Sequence, residues 1–343
     1  LRSVQNAAAA DHGPAAASST AQGARMPERI GLLVGMETSF PEAFLARVNK
    51  VPGVSAEYAR IGGTPENFKS PYRVLVDRIS QEVQHYRFHL KCAALSGTYV
   101  INDPFWWSAD DKFFGYSLCD KIGVAVPRTI MLPQKNYIPA IDKGRSLRNL
   151  EFPLDWQGIL DYVKYPAVLK PADGGGWRDV SIVRNDRELI EAYDASDTKV
   201  MTLQEFIEFD EYIRCICIGK KEILPIKYDP KRRCYVHTPN GFMSPALEER
   251  VRTDAFKLCD ALGYDMNSVE FAVRDGIPYA IDFTNPAPDM AKESILEPHF
   301  LWCVEKMAEF TIAAAKEGKS SLGESYRFTR YLPPGQKSQG GAE

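Results

Sequence analysis

Glu270 and Asp282 stand 12 residues apart, each among apolar neighbours, on either side of Asp275-Gly276. An Asp-Gly pair flanked by β-branched and aromatic residues is a hairpin signal. The even spacing predicts an odd-length turn centred on Gly276, which sets the two carboxylates opposite each other on one sheet face. Side chains so placed lie roughly 4.5–5.5 Å apart at Cβ, where like charges repel. A bound cation removes that repulsion. Two carboxylates and the Asn285 carboxamide form an oxygen-only set suited to Mg²⁺ held with substrate phosphates, with Mn²⁺ also admissible. An ordinary hairpin with two solvated acids is the alternative this segment leaves open.

Two further segments bear on phosphate chemistry. Tyr165-Pro-Ala-Val-Leu-Lys170 runs into Gly174, Gly175 and Gly176. A strand ending in lysine before glycines lets backbone N–H groups approach phosphates while the ammonium adds a point charge. A plain flexible loop is the other reading. No Gly-x-Gly-x-x-Gly follows the first strand, and Gly318-Lys319-Ser320 lacks the first glycine of a phosphate loop because position 313 is Ala. In Leu203-Gln-Glu-Phe-Ile-Glu-Phe-Asp-Glu-Tyr-Ile-Arg, main-chain groups can hold a purine and Glu211 can hold ribose hydroxyls. A charged surface loop competes with that reading. His85 and His89 share a helix face but lack a third metal ligand, so they read as structural. Trp106-Trp107 reads as domain-boundary packing, and Arg60, Asp77 and Arg78 lie near strand ends where substrate could be met.

The elements that must position these residues fall into two textures. Strands at Ile30–Gly35, Ala56–Ile61, Tyr72–Asp77 and Thr98–Asn102 alternate with helices at Pro41–Lys50, Glu82–Ser96 and Asp110–Gly123. That alternation predicts a doubly wound α/β domain over residues 26–131. Residues 132–155, with three prolines, read as a connector. An α+β mix follows: a small subdomain at 156–209 bearing the glycine-rich segment, and a larger one at 210–317 bearing the acids. In it, Tyr212–Ile218 and Ile223–Tyr228 form a hairpin, Glu248–Leu262 is a helix, and a long C-terminal helix runs beyond Leu296. Residues 318–343 form a polar tail.

Composition bounds the function class. At 343 residues the chain predicts two or three domains, and 45% hydrophobic with 25% charged residues is ordinary for a globular protein. A net charge of −3 argues against a nucleic-acid partner, and no apolar run reaches the length of a membrane span. Seven cysteines without a Cys-x-x-Cys pair fit a reducing cytoplasm. Cys215 and Cys217 read as small buried hydrophobes on one strand face. Residues 1–25, rich in Ala, Ser and Gly, read as a dispensable disordered tail before Met26, not a secretory signal.

Taken in order, Lys112, Lys170 before its glycines, Gln204-Glu205-Phe206-Ile207 and the paired acids before Asn285-Pro286 resemble the ATP-grasp superfamily. The similarity is to the branch of ribosomal protein S6 glutamate ligase and glutathione synthetase, and it covers roughly residues 29–315. The resemblance implies ATP clamped between two α+β subdomains, with the preceding α/β domain completing the substrate site. It implies that Lys112 and Lys170 contact phosphates beneath Gly174–Gly176. Gln204, Glu205, Phe206 and Ile207 would border adenine, Glu211 ribose, and Glu270, Asp282 and Asn285 Mg²⁺. Arg214 and Lys227 are candidates to hold an acyl phosphate or substrate carboxylate, with surface cations on a hairpin as the alternative.

Two departures stand out. Asp282 and Asn285 are three apart where the family has two, so a bulge must absorb a residue. Alignment on Arg214 also puts Tyr212, not Glu211, at the ribose acid. The implied activity is a carboxylate–amine or carboxylate–thiol ligase acting on small-molecule or peptide substrates. A phosphotransferase acting on a hydroxyl and a non-catalytic nucleotide-binding module are the alternatives. Homo-oligomerisation is left open.

Overall fold

The computed structural model describes residues 26–105, 112–173, 175–238 and 241–321. The expectations for residues 1–25, Trp106-Trp107, Gly174 and the tail beyond 321 lie outside the described residues.

The chain opens with β1 (Glu28–Leu33), α1 (Ser39–Val48), β2 (Val54–Tyr58), β3 (Val74–Asp77), α2 (Gln84–Leu95) and β4 (Tyr99–Ile101). The strands pair in parallel in the order β2-β1-β3-β4. Helices cover both faces, so the strands read as nearly continuous apolar runs. Ile30, Leu32, Val74 and Val76 pack with Phe40 and Phe44 of α1, whereas Leu33, Leu75 and Val100 pack with Leu90, Ala93 and Ala94 of α2.

After α3 (Lys112–Ile122) come β5 (Thr129–Leu132) and the proline-marked stretch, which holds one short helix, α4 (Lys143–Ser146). Next are α5 (Trp156–Val163), β6 (Ala167–Pro171), β7 (Ser181–Val183), α6 (Asp186–Ala195) and β8 (Met201–Glu205). Their strands form an antiparallel sheet, β5-β8-β6-β7. Asp155 and Asn185 cap the two longer helices by accepting from the N–H groups of Gly158 and Glu188.

The third sheet is antiparallel, in the order β11-β10-β9-β12-β13. It comprises β9 (Glu211–Ile218), β10 (Glu222–Asp229), β11 (Cys234–Val236) and, beyond α7 (Pro245–Leu262), β12 (Met266–Arg274) and β13 (Ile277–Asp282). Helix α7 starts at the Ser244 cap with Pro245 in its first turn and ends at Gly263, whose φ of 75° is left-handed. Period-two alternation sends Ile213, Cys215 and Cys217 of β9 into the core beneath α7. Tyr212, Ile216 and Ile218 face the other way. The cysteines are buried free thiols, as expected. Short α8 (Lys292–Ile295) precedes α9 (Glu297–Glu317), whose Phe300, Val304 and Met307 share a core with the first sheet and with β9.

The first sheet is fastened to the strand that carries Glu270. Asn102 donates to Met266 O at 2.7 Å and accepts from Met266 N at 2.6 Å. Arg78 is buried, chelates Glu37 and donates to Pro288 O at 2.6 Å. The Asp77 carboxylate accepts from Ser80. Arg78 and Asp77 are therefore bracing groups, not substrate contacts. A buried cation needs such partners, since an unpaired one costs several kcal/mol.

Candidate active site

A cleft of about 870 Å³ lies between the small and large antiparallel sheets. Its floor is set by strand register. Arg214 on β9, Glu270 on β12 and Asp282 on β13 are consecutive cross-strand neighbours, so their side chains form one row. The odd-length turn expected at Gly276 is not what produces this row. Asp275 (φ 52°) and Gly276 (φ 73°) form a two-residue turn of the mirror-image type between paired Arg274 and Ile277. That register alone would place Ile281 opposite Glu270. One extra residue at Ile281 bulges out, and Asp282 takes the place instead. The bulge thus precedes Asp282, whereas the sequence placed it between Asp282 and Asn285.

Each acid has its own cation. Arg214 Nη2 lies 2.8 Å from Glu270 Oε1, and the Tyr212 hydroxyl donates to the same carboxylate. Burial nevertheless raises the Glu270 carboxyl above its ordinary range. Lys112 Nζ lies 2.9 and 3.1 Å from the two oxygens of Asp282. Burial opposes the charge on Asp282 as well, but Lys112 and Lys170 outweigh it and hold the carboxyl low. Lys170, at the end of β6, donates to Tyr116 OH at 2.8 Å, Gln204 Oε1 at 3.0 Å and Ile281 O at 3.0 Å. Its burial lowers the ammonium pKa.

Tyr116 escaped the sequence reading, yet it joins Lys170 to the bulge by donating to Ile281 O at 2.7 Å. A signal existed: Tyr116 lies four residues after Lys112 on α3, on the same helix face. Gly115 lets this helix close on β13, because a Cβ there would sit 2.7 Å from Phe283.

Gln204, Glu205, Phe206 and Ile207 all border the cleft. The Glu205 side chain is held by Arg128 at 3.1 Å and Arg274 at 3.2 Å, and the N–H groups of Glu205 and Phe206 are spent on Arg128 O and Pro166 O. Gly175, Gly176, Ser268 and Asn285 also line it. The Asn285 amide donates to Ser268 Oγ at 3.3 Å.

Two candidates do not reach the cleft. Glu211 and Lys227 pair with each other at 2.8 Å and belong to the opposite sheet face from Tyr212, Arg214 and Tyr228. Alternation along β9 puts Tyr212, one residue on, into the cleft instead. His89 is bound to Thr64 at 2.8 Å and His85 to Gly62 O at 3.2 Å, so both are structural. No group of three or more His, Cys, Asp or Glu positioned for a metal occurs among the described residues. No described helix is long and apolar enough to cross a membrane.

No family model matches the chain. A D-alanine–D-alanine ligase of Bacillus cereus is 31% identical over 152 residues, covering 40% of this chain and 49% of that protein. A pyruvate carboxylase subunit of Methanothermobacter thermautotrophicus is 24% identical over 190 residues, 50% of this chain and 35% of that protein. The chain therefore spans half or less of the curated relatives it matches. Among solved structures, D-alanine–D-alanine ligase from Bacillus anthracis complexed with ATP superposes with a TM-score of 0.56 at 19% identity, over 85% of this chain and 99% of that one. A RimK domain ATP-grasp protein from Sphaerobacter thermophilus gives 0.59 at 14% identity, over 82% and 98%.

Proposed function

The chain has the ATP-grasp fold, and from that premise we propose that it is an ATP- and Mg²⁺-dependent ligase. It would activate a carboxylate as the acyl phosphate and join it to an amine or a thiol. The observation that carries this reading is one cleft in which Glu270 and Asp282 stand opposed beside Lys112, Lys170 and the glycine segment. The ATP bound to the Bacillus anthracis ligase, whose fold this chain shares, supports the choice of nucleotide.

Gln204–Ile207 would border the base. Glu205 and Phe206 have given up their N–H groups, so Ile207 is the main-chain donor left there among the described residues. Gly174–Gly176 would close over the phosphates. The donor set fits a hard divalent cation: Glu270 and Asp282 offer only oxygens, and Asn285 Oδ1 is engaged only by a long contact from Ala287 N–H at 3.3 Å. Magnesium held there would offset the charge of the phosphates. Lys112 and Arg214, which now neutralise the two acids, would then be released towards phosphate and substrate.

Lys170, fixed by three acceptors, presents a positioned charge needing no reorganisation during reaction. Arg214 is the group to orient the substrate carboxylate. A carboxylate oxygen attacks the terminal phosphorus and ADP departs. The nucleophile then attacks the acyl carbon, losing its proton as phosphate leaves.

ADP release with pooled carboxylates and amines, followed by mass spectrometry, tests the reading. A product heavier by the joined acceptor supports it. ADP with a phosphorylated hydroxyl compound would make the protein a phosphotransferase, and nucleotide binding without turnover would make it a binding module.

A further inference from the structure

Lys170 meets three acceptors, and only one of them can face it the wrong way round. Ile281 O is a main-chain carbonyl at the bulge, and the Tyr116 oxygen still accepts once its single proton has gone to Ile281 O. The Gln204 side chain differs, because a carboxamide turned by half a circle offers N–H groups where it had offered a carbonyl. An ammonium only donates, so the atom 3.0 Å from Lys170 Nζ must be Oε1. That places Nε2 at the other end, 2.8 Å from Thr129 Oγ1. The Thr129 hydroxyl sends its one proton to Pro127 O at 3.0 Å and so accepts from Nε2. Each bond fixes the sense of the next, in a chain running from Lys170 through Gln204 and Thr129 to Pro127.

Thr129 and Gln204 are directly opposed on β5 and β8, so strand pairing delivers this contact. Lys170 and Gln204 line the cleft, whereas Thr129 does not border it. Gln204 is buried, and a turned amide there would set N–H groups against the ammonium and cost Thr129 its bond to Pro127. We propose that Thr129 is a positioning residue: through the Gln204 amide it aims the Lys170 ammonium at the nucleotide phosphates, without itself touching nucleotide or substrate. The inference rests on the reading of the cleft as the ATP site and adds to it a residue from the edge strand of the small sheet.

Isothermal titration of the full chain with a non-hydrolysable ATP analogue and Mg²⁺ tests it. Thr129→Val keeps the side-chain shape but removes the hydroxyl, and it should weaken analogue binding about fivefold to tenfold, the worth of one hydrogen bond. Thr129→Ser keeps the hydroxyl and should bind as the parent does. In a Lys170→Met background, Thr129→Val should cost less than about twofold, because residues that act through one group are not additive. A purely structural threonine would give the same loss in both backgrounds. Parental affinity in Thr129→Val, an equal loss in Thr129→Ser, or an undiminished loss beside Lys170→Met would each overturn the proposal. Circular dichroism checks the fold, and Thr129→Ala replaces Thr129→Val, with the same outcomes, if the valine variant does not fold. Analogue binding does not depend on ligation. The expected affinities without a ligated product from any carboxylate would therefore defeat the ligase reading and leave the role of Thr129 standing, whereas a parent chain that does not bind the analogue would overturn both.

Discussion

Strand β9 contributes to two carboxylate–cation pairs of similar length that face opposite ways. Arg214 meets Glu270 at 2.8 Å on the cleft side, and Glu211 meets Lys227 at 2.8 Å on the far side. The cleft-side pair is mostly buried, is braced by the Tyr212 hydroxyl and stacks its guanidinium 3.8 Å from the Tyr228 ring centre. The far-side pair is about a third exposed. Equal distances therefore conceal unequal roles. The buried pair holds charges that a ligand can exchange, whereas the exposed pair is screened by water and contributes little.

The contrast is broken most sharply at the acids. Glu270→Gln and Asp282→Asn keep the side-chain shapes but remove charge, and each should lower ADP formation by about 10²–10³-fold, the size of losing one preorganised electrostatic group. Circular dichroism should remain that of the parent. A variant with parental turnover at limiting Mg²⁺ would put the chemistry elsewhere. Lys170→Met comes next, with an expected rise in the KM for ATP and a fall in kcat, together about 10²-fold if its charge acts on the phosphates in the transition state. A change in neither constant would relegate Lys170 to packing.

Tyr212→Phe removes only the hydroxyl on Glu270. It should weaken Mg²⁺ dependence by about tenfold, the worth of one hydrogen bond to a charged group. A metal titration curve superimposable on the parent's would mean that the hydroxyl does not orient the carboxylate. The smallest effect belongs to Glu211→Gln/Lys227→Met on the far face. Turnover should be unaltered, and stability by urea unfolding should fall by no more than about 1 kcal/mol. A large loss of ATP affinity in this double variant would return Glu211 to the cleft.

The order of elements, the parallel first sheet and the facing acids were legible because periodicity and turn chemistry are local properties. What escaped was phase. Glu211 and Tyr212 differ by one position, and period two turns that difference into opposite sheet faces. The partnership of Glu270 with Asp282 was inferred correctly, but through an odd-length turn that does not exist. A two-residue turn and a bulge at Ile281 together give the same pairing. Tyr116 and Gly115 act through the approach of α3 to β13, a tertiary contact that the four-residue spacing of Lys112 and Tyr116 is consistent with but does not by itself encode. Strands β5 and β7 are only four and three residues long, too short for alternation to register.

Binding of Mn²⁺ as a spin-active probe, followed by electron paramagnetic resonance with a non-hydrolysable ATP analogue, reaches the centre of the account. The parent protein should bind Mn²⁺ in a nucleotide-dependent manner, and Glu270→Gln/Asp282→Asn should lose that binding while keeping its fold. Undiminished nucleotide-dependent Mn²⁺ binding in the double variant would contradict the account.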